Sequence, residues 1–346
     1  NEWRIVQTLS FVSKIIMIEK ILITGASGFV GYHLTRAAKA AGMEVHAAVR
    51  KSSDVSEIRS VVDKFVYPDF SDEGSIRELF EAESYTYVVH AAAMTRAKRE
   101  EDLEKVNVGY TKNLASACFS LKNPIKRFVF VSSLAAIGPV RYDAILIDES
   151  NPYHPVTAYG RSKQKAELVL NDFKDHPITI LRPTAVYGPR EKDIFILFKT
   201  MNGGMDAYVG RSPQKLSFIY VADLVQAIID ACRFDQGGKQ VYNLSDGQVY
   251  SRYEMAKIFK EFSQKRMFRM HIPLGLVKTI AVIFELLYRK SKAIPLLYPE
   301  RLNELTAENW GCDIAAAQRH IKYQPKYDLK KGLMEALAWY KENKWL

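Results

Sequence analysis

Six short apolar runs, most separated by a stretch of helical character, dominate the first half of the chain. The runs are Ile21–Thr24, Val45–Val49, Lys64–Tyr67, Tyr87–Ala91, Phe128–Val131 and Thr179–Leu181. Helices are expected between them, over roughly Val30–Ala41, Ser75–Glu81, Asp102–Ser120 and Ala158–Asp172. Runs this short and this apolar suit strands buried on both faces, and parallel neighbours require crossover connections. The order therefore predicts an α/β fold, a doubly wound parallel sheet with helices on both faces. After Pro183 the alternation loosens, with helices near Ile194–Met201, Ala222–Cys232 and Tyr253–Phe262 among shorter strands. This division predicts a main domain over 17–182, to which 213–245 returns. A smaller C-terminal α/β cap is expected over 183–212 and 246–346, resting on the carboxyl edge of the sheet. Residues 1–16 read as an extension ahead of the first strand. They lack a small-residue cleavage site, so a secretory signal is not expected.

Composition narrows the classes further. The 346 residues are 48% hydrophobic and 25% charged, which excludes disordered, collagen-like and disulfide-scaffold chains. No run of eighteen uninterrupted apolar residues exists to cross a membrane. Cys118, Cys232 and Cys312 are odd in number and far apart, and read as free thiols in a reducing, cytoplasmic setting, with no metal site expected. A net charge of +10 favours anionic partners, and its scatter along the chain argues against nucleic acid.

The sequence Thr24-Gly25-Ala26-Ser27-Gly28-Phe29-Val30-Gly31 links the first strand to the first helix. Gly25 suits a tight turn, Gly28 a close approach of backbone to a pyrophosphate, and Gly31 close packing of helix on strand. The helix start, including Ser27, Phe29 and Val30, then offers unpaired N–H groups and a positive dipole end to phosphates. About twenty residues on, Arg50-Lys51-Ser52 ends the second strand without a carboxylate. Arginine there suits the extra phosphate of NADP, whereas NAD calls for an acidic residue, so NADP is expected and NAD is the alternative. Asp69, followed by Phe70, could meet the adenine amino group or cap the next helix.

Tyr159 and Lys163 lie at i and i+4, on one face of an expected helix. An ammonium beside a phenol lowers its pKa and makes tyrosine a proton carrier near neutral pH. Upstream, 26 residues before Tyr159, Ser132 and Ser133 close the strand in Val129-Phe130-Val131-Ser132-Ser133-Leu134-Ala135-Ala136-Ile137-Gly138. With His90–Ala93, Val106–Leu114, Leu181–Arg190 and Phe218–Leu224, these pieces resemble the extended short-chain dehydrogenases/reductases, the NAD-dependent epimerase/dehydratase family, from about Met17 to the C-terminus. The resemblance implies a Rossmann-type sheet with Tyr159 as acid/base, Lys163 as its partner on the nicotinamide ribose, and Ser133 holding the reacting oxygen. It implies that Ser132 faces the sheet or cofactor. Ala91, Ala92 and Ala93 would line the pyrophosphate and ribose path, and Asn107 the helix behind. Pro183 would meet the carboxamide, and Val186 and Tyr187 would lie near the nicotinamide and substrate cleft or pack in the core.

The reaction is narrowed by what is missing. A dehydratase of this family carries Asp-Glu after the catalytic hydroxyl residue, where this chain has Leu134-Ala135. Sugar-nucleotide members carry Arg-Asp where this chain has Leu216-Ser217, after Lys215. Expected, therefore, is an NAD(P)-dependent oxidoreductase moving a hydride between nicotinamide and a hydroxyl or ketone carbon. A nucleotide-sugar epimerase is the alternative, in which Arg190, as a substrate-binding cation, with Lys192, Lys199 and Arg211, would reach a diphosphate. A non-catalytic cofactor-sensing protein is disfavoured by the joint presence of Ser133, Tyr159 and Lys163.

Apolar residues Leu276, Ile280, Ile283, Phe284, Leu287 and Tyr288 share one helical face after Pro273. That C-terminal region resembles 3β-hydroxysteroid dehydrogenases and dihydroflavonol reductases. It is expected to cap an apolar substrate near Tyr187–Met205 and Pro273–Tyr288, to touch a membrane peripherally, or to pack on the core. A homodimer is the family's expected assembly.

Overall fold

The computed structural model describes residues 18–288, Ser291 and 298–346. The expected 1–16 extension lies outside these residues. The first half runs β1 (Lys20–Thr24), α1 (Phe29–Ala40), β2 (Glu44–Ala48), β3 (Lys64–Val66), α2 (Glu73–Glu83), β4 (Tyr87–His90), α3 (Glu100–Glu104), α4 (Tyr110–Phe119), β5 (Arg127–Val131), α5 (Ala158–Val169) and β6 (Ile178–Pro183). In the second half β7 (Ala185–Tyr187), α6 (Asp193–Asn202), β8 (Met205–Val209), β9 (Lys215–Leu216), β10 (Phe218–Tyr220) and α7 (Val221–Arg233) lead to β11 (Lys239–Leu244). The chain ends with β12 (Tyr250–Ser251), α8 (Glu254–Ser263), β13 (Phe268–Ile272), α9 (Leu274–Tyr288), α10 (Pro299–Thr306), β14 (Asn309–Trp310), α11 (Ala315–His320) and α12 (Leu329–Glu342).

Seven strands form one parallel sheet in the order β11-β6-β5-β4-β1-β2-β3. Alternate side chains of each strand enter different cores, as the period of two requires. Ile21 and Ile23 pack in the core that contains Leu34 of α1 and Leu224 and Ile228 of α7. Leu22, between them, packs with Phe80, Leu114, Phe128 and Phe130 on the other face. Burial on both faces is why these strands are continuous apolar runs. The order in which strands are added to the sheet reverses between β1 and β4, and such a switch point leaves a crevice beyond the carboxyl ends.

The single helix expected over Asp102–Ser120 is instead two α-helices joined by a π-helical stretch, Lys105–Gly109. That wider turn holds Asn107, which is buried, and its amide accepts from Met94 N–H and donates to Met94 O, both at 2.8 Å. A second core, built from Tyr187, Phe198, Phe259, Leu333 and Tyr340, binds α6, α8 and α12 together beside the sheet.

Candidate active site

The glycine turn sits at the crevice. Gly25 has φ +72°, and a Cβ there would lie 2.7 Å from the Ala92 backbone. A Cβ on Gly31 would lie 2.1 Å from Gly25 O, so neither position admits a side chain. The first hydrogen bond of α1 runs from Tyr32 N–H to Gly28 O at 2.9 Å, and Gly28 caps without a side-chain bond. The N–H groups of Phe29 and Val30 therefore point out of the helix start without intrahelical partners, beside the exposed backbone of Ser27 and Gly28. This cradle, closed behind by Ala91 and Ala92, fits a dinucleotide pyrophosphate. Arg50 is exposed beyond β2 and makes no ion pair among the described residues. Asp69 accepts from Ser71 N–H at 2.9 Å, and the cap of α2 is Asp72 instead, accepting from Gly74 N–H. Phe70 stacks on Tyr110 at the same edge.

Ser133 and Tyr159 meet beyond the end of β5. Ser132 turns into the protein and donates to Glu167, which is locked to Arg182 at 2.6 Å and accepts from the Tyr153 hydroxyl at 2.8 Å. Ser133 turns the other way, lines a cavity, and lies close enough to hydrogen-bond the Tyr159 phenol. Lys163 is buried, donates to Val131 O at 2.8 Å, and sits over the Phe130 ring at 4.6 Å. Here the structure corrects a sequence expectation. Desolvation lowers Lys163 to about 7 and raises Tyr159 to about 12, with the Ser133 bond pulling Tyr159 down and Glu304 pushing it up. The phenol is thus not lowered by its lysine, because burial penalises both charged forms and the ammonium is aimed at the sheet.

A polar chain missed by sequence reading supports this helix. Thr111 donates to Asn107 O at 2.6 Å, so it must accept from His90 Nε2 at 3.0 Å. His90 Nδ1 then accepts from the Thr24 hydroxyl at 2.7 Å, which itself accepts from Ala92 N–H. Burial and the nearby Lys163 charge hold His90 down to about 3, so it is neutral throughout the useful pH range. Asn107 also donates to Ser162, and Ser162 donates to Tyr159 O at 2.7 Å. Asn107 therefore ties α5 to the Met94 segment, with its amide oxygen and nitrogen both bonded there. Thr24 and His90 stand 66 residues apart and His90 and Thr111 a further 21, so no local sequence pattern signalled this chain.

The cavity beside Ser133 measures about 430 Å³. Its walls are mainly apolar and include Ala135, Pro183, Leu197, Val209, Leu216 and Trp310. Gln214, Arg252 and Glu304 supply polar groups that sequence reasoning did not single out. Glu304 is exposed at the cavity rim, where desolvation by neighbouring protein raises its carboxyl. Two residues expected at the substrate lie elsewhere. Tyr187 is only 1% exposed, packs edge-on to Phe218, and donates to Asp328 O at 3.2 Å inside the second core. Arg190, at φ +77°, pairs with Glu57 and covers the Tyr32 ring at 4.1 Å, on the α1 side of the crevice. Val186 packs against the sheet core. Nor does the Pro273–Tyr288 stretch line the cavity; α9 stands outside that wall.

The model of the NAD dependent epimerase/dehydratase family matches residues 21–245. The chain belongs to this family. It is 26% identical to N-acetyl-alpha-D-glucosaminyl-diphospho-ditrans,octacis-undecaprenol 4-epimerase of Escherichia coli O157:H7, over 78% of this chain and 80% of that one. It is 25% identical to sterol-4-alpha-carboxylate 3-dehydrogenase, decarboxylating, of Candida albicans, over 94% and 99% of the two chains. Among solved structures, UDP-glucose 4-epimerase of Thermotoga maritima, crystallised with UDP-glucose, superposes with a TM-score of 0.76 at 22% identity, over 94% and 99%. The last likeness concerns fold. Membership makes the chain an NAD(P)-dependent enzyme of a family that contains both dehydrogenases and epimerases.

Proposed function

We propose that the chain is an NADP-dependent dehydrogenase or reductase acting on the hydroxyl or keto carbon of a mainly apolar substrate. The observation that carries this reading is Ser133, beside the Tyr159 phenol, opening onto a cavity walled mostly by apolar side chains. Gly25, Gly28, Gly31 and the N–H groups of Phe29 and Val30 would hold the pyrophosphate, and Arg50 the extra phosphate of NADP. Lys163 would hold the nicotinamide ribose, with Pro183 near the carboxamide. When bound, the dinucleotide supplies the hydride donor or acceptor. Ser133 orients the substrate oxygen, and Tyr159 gives that oxygen a proton in reduction or takes it in oxidation. Lys163 lies one helical turn from Tyr159, and burial lowers its ammonium to about 7, so it holds its proton only weakly near neutral pH. The relatives named for a sterol and for a polyprenyl-linked sugar support an apolar substrate. The buried, unpaired cysteines suit a reducing, cytoplasmic compartment, and a homodimer remains the expected assembly.

One observation favours a second reading. Arg252 lines the cavity, has no carboxylate partner among the described residues, and spends its two terminal nitrogens on Val209 O and Ser212 O. A guanidinium so placed suits an anionic group such as a diphosphate, which would restore a nucleotide-sugar epimerase. A turnover screen with the purified chain separates the two. Net consumption of NADPH with apolar ketones, abolished in Tyr159→Phe while dinucleotide affinity stays within a few-fold, is expected. Interconversion of nucleotide-sugar epimers without net change in NADPH would overturn the proposal.

A further inference from the structure

Helix α9 carries the most apolar exposed surface among the described residues. Leu276, Ile283, Leu286 and Leu287 are 54%, 48%, 62% and 69% exposed, and Val282 adds 45%. Only Val277 and Ala281 are buried, packed with Leu302 of α10 and against Val209 and Ile272. At 100° per residue, Val277 and Ala281 define one line of the helix, and Leu276, Val282, Ile283, Leu286 and Leu287 cover the opposite side. This is the reverse of a soluble surface helix, whose apolar stripe faces inward. The charges on α9, Lys278 and Glu285, lie together at one border of that face. Contiguous exposed apolar surface of this kind marks a partner or a membrane.

We infer that α9 docks the enzyme on an anionic lipid bilayer. Charge decides for the bilayer over a protein groove. Arg289-Lys290-Ser291-Lys292 follows the helix directly in sequence, and Lys98 donates to Tyr288 O at its carboxyl end. The chain as a whole carries +10. An apolar helix face followed in sequence by cations is the pattern of segments that lie in the interface of an anionic bilayer. At about 1.5 Å per residue the described stretch Leu274–Tyr288 is too short to span a hydrocarbon core of about 30 Å. No helix among the described residues is long and apolar enough to cross a membrane. The seating also has a consequence for the cavity. The buried side of α9 rests on Leu302 of α10 and on Val209, and Val209 with Glu304 and Leu305 of α10 forms part of the cavity wall. Docking therefore brings that wall to the bilayer surface. The inference does not depend on which substrate the site takes.

The test is flotation of the purified full chain with vesicles of phosphatidylcholine, and of phosphatidylcholine mixed equally with phosphatidylglycerol. Expected is binding to the mixed vesicles, weakened at least ~10-fold by Ile283→Glu/Leu287→Glu and by high salt. Both positions are exposed, so melting temperature and dinucleotide affinity should match the parent, which separates lost docking from lost folding. Failure of the parent to float with mixed vesicles, or unchanged binding by the double variant, overturns the inference. So does a stable dimer in lipid-free buffer that this variant dissociates, because the face would then belong to a second copy.

Discussion

A buried lysine is the most consequential single residue in this site. The carbonyl of Val131 and the ring of Phe130 receive Lys163, and burial lowers it from 10.5 to about 7. Between those values the unfolded chain holds a proton that the folded chain has released. Stability without cofactor should therefore rise with pH from about 7 towards 10.5, by at most about 1.4 kcal/mol per pH unit. Below pH 7 both states are charged and the full penalty of burying the ammonium is present. Lys163→Met should remove this slope and stabilise the cofactor-free protein at neutral pH, while abolishing turnover. Urea unfolding at several pH values checks it; an unchanged slope in the variant would assign the effect elsewhere. The spacing of Tyr159 and Lys163, and the paired serines, were legible in the sequence because they are local. Their proton affinities were not, since desolvation depends on strands and loops that meet only in the fold. For the same reason Tyr187 and Arg190 could not be assigned: one turns into the second core, the other towards Glu57.

Helix α10 decides how the cavity is closed. Arg161, two residues after Tyr159, binds Glu100 at 2.8 and 2.7 Å and Glu300, in the first turn of α10, at 2.7 Å. Arg96 and Arg301 both approach Asp193 of α6. The same helix carries Glu304 and Leu305 to the cavity. These groups are about one-third exposed, so the pairs contribute little to global stability, ~1 kcal/mol or less each. Their effect should instead fall on the placement of the wall. Arg161→Met is expected to raise KM for substrate severalfold, leave dinucleotide affinity unchanged and lower the melting temperature only slightly. High salt should raise the parent's KM in the same direction. An equal loss of cofactor affinity would mean that α5 itself had shifted. No periodicity announced this arrangement, because the wall is assembled from short pieces at 183–185, 207–218 and 304–310, each too brief to show a pattern.

At the scale of the molecule, the sheet was readable because strands buried on both faces carry runs of apolar residues, as 21–23 and 128–131 do. Its strand order then fixes where β1, β2 and β4 end, and so brings Gly25, Arg50 and Ala92 to one crevice. A dinucleotide lying across that crevice touches only the folded state, so binding must raise stability by mass action. At a hundredfold excess over Kd the gain is about 2.7 kcal/mol, enough to shift melting by a few degrees. Arg50 has no ion-pair partner among the described residues, and the 2′-phosphate of NADP would give it one. At equal concentrations NADP should therefore shift the melting temperature more than NAD. Arg50→Ala should remove most of that difference and leave the NAD shift almost untouched, because the pyrophosphate cradle around Gly28 is intact. The two shifts are read by differential scanning fluorimetry across a concentration series. A larger shift with NAD in the parent would mean that Arg50 points away from the ribose, and NAD would take the place of NADP.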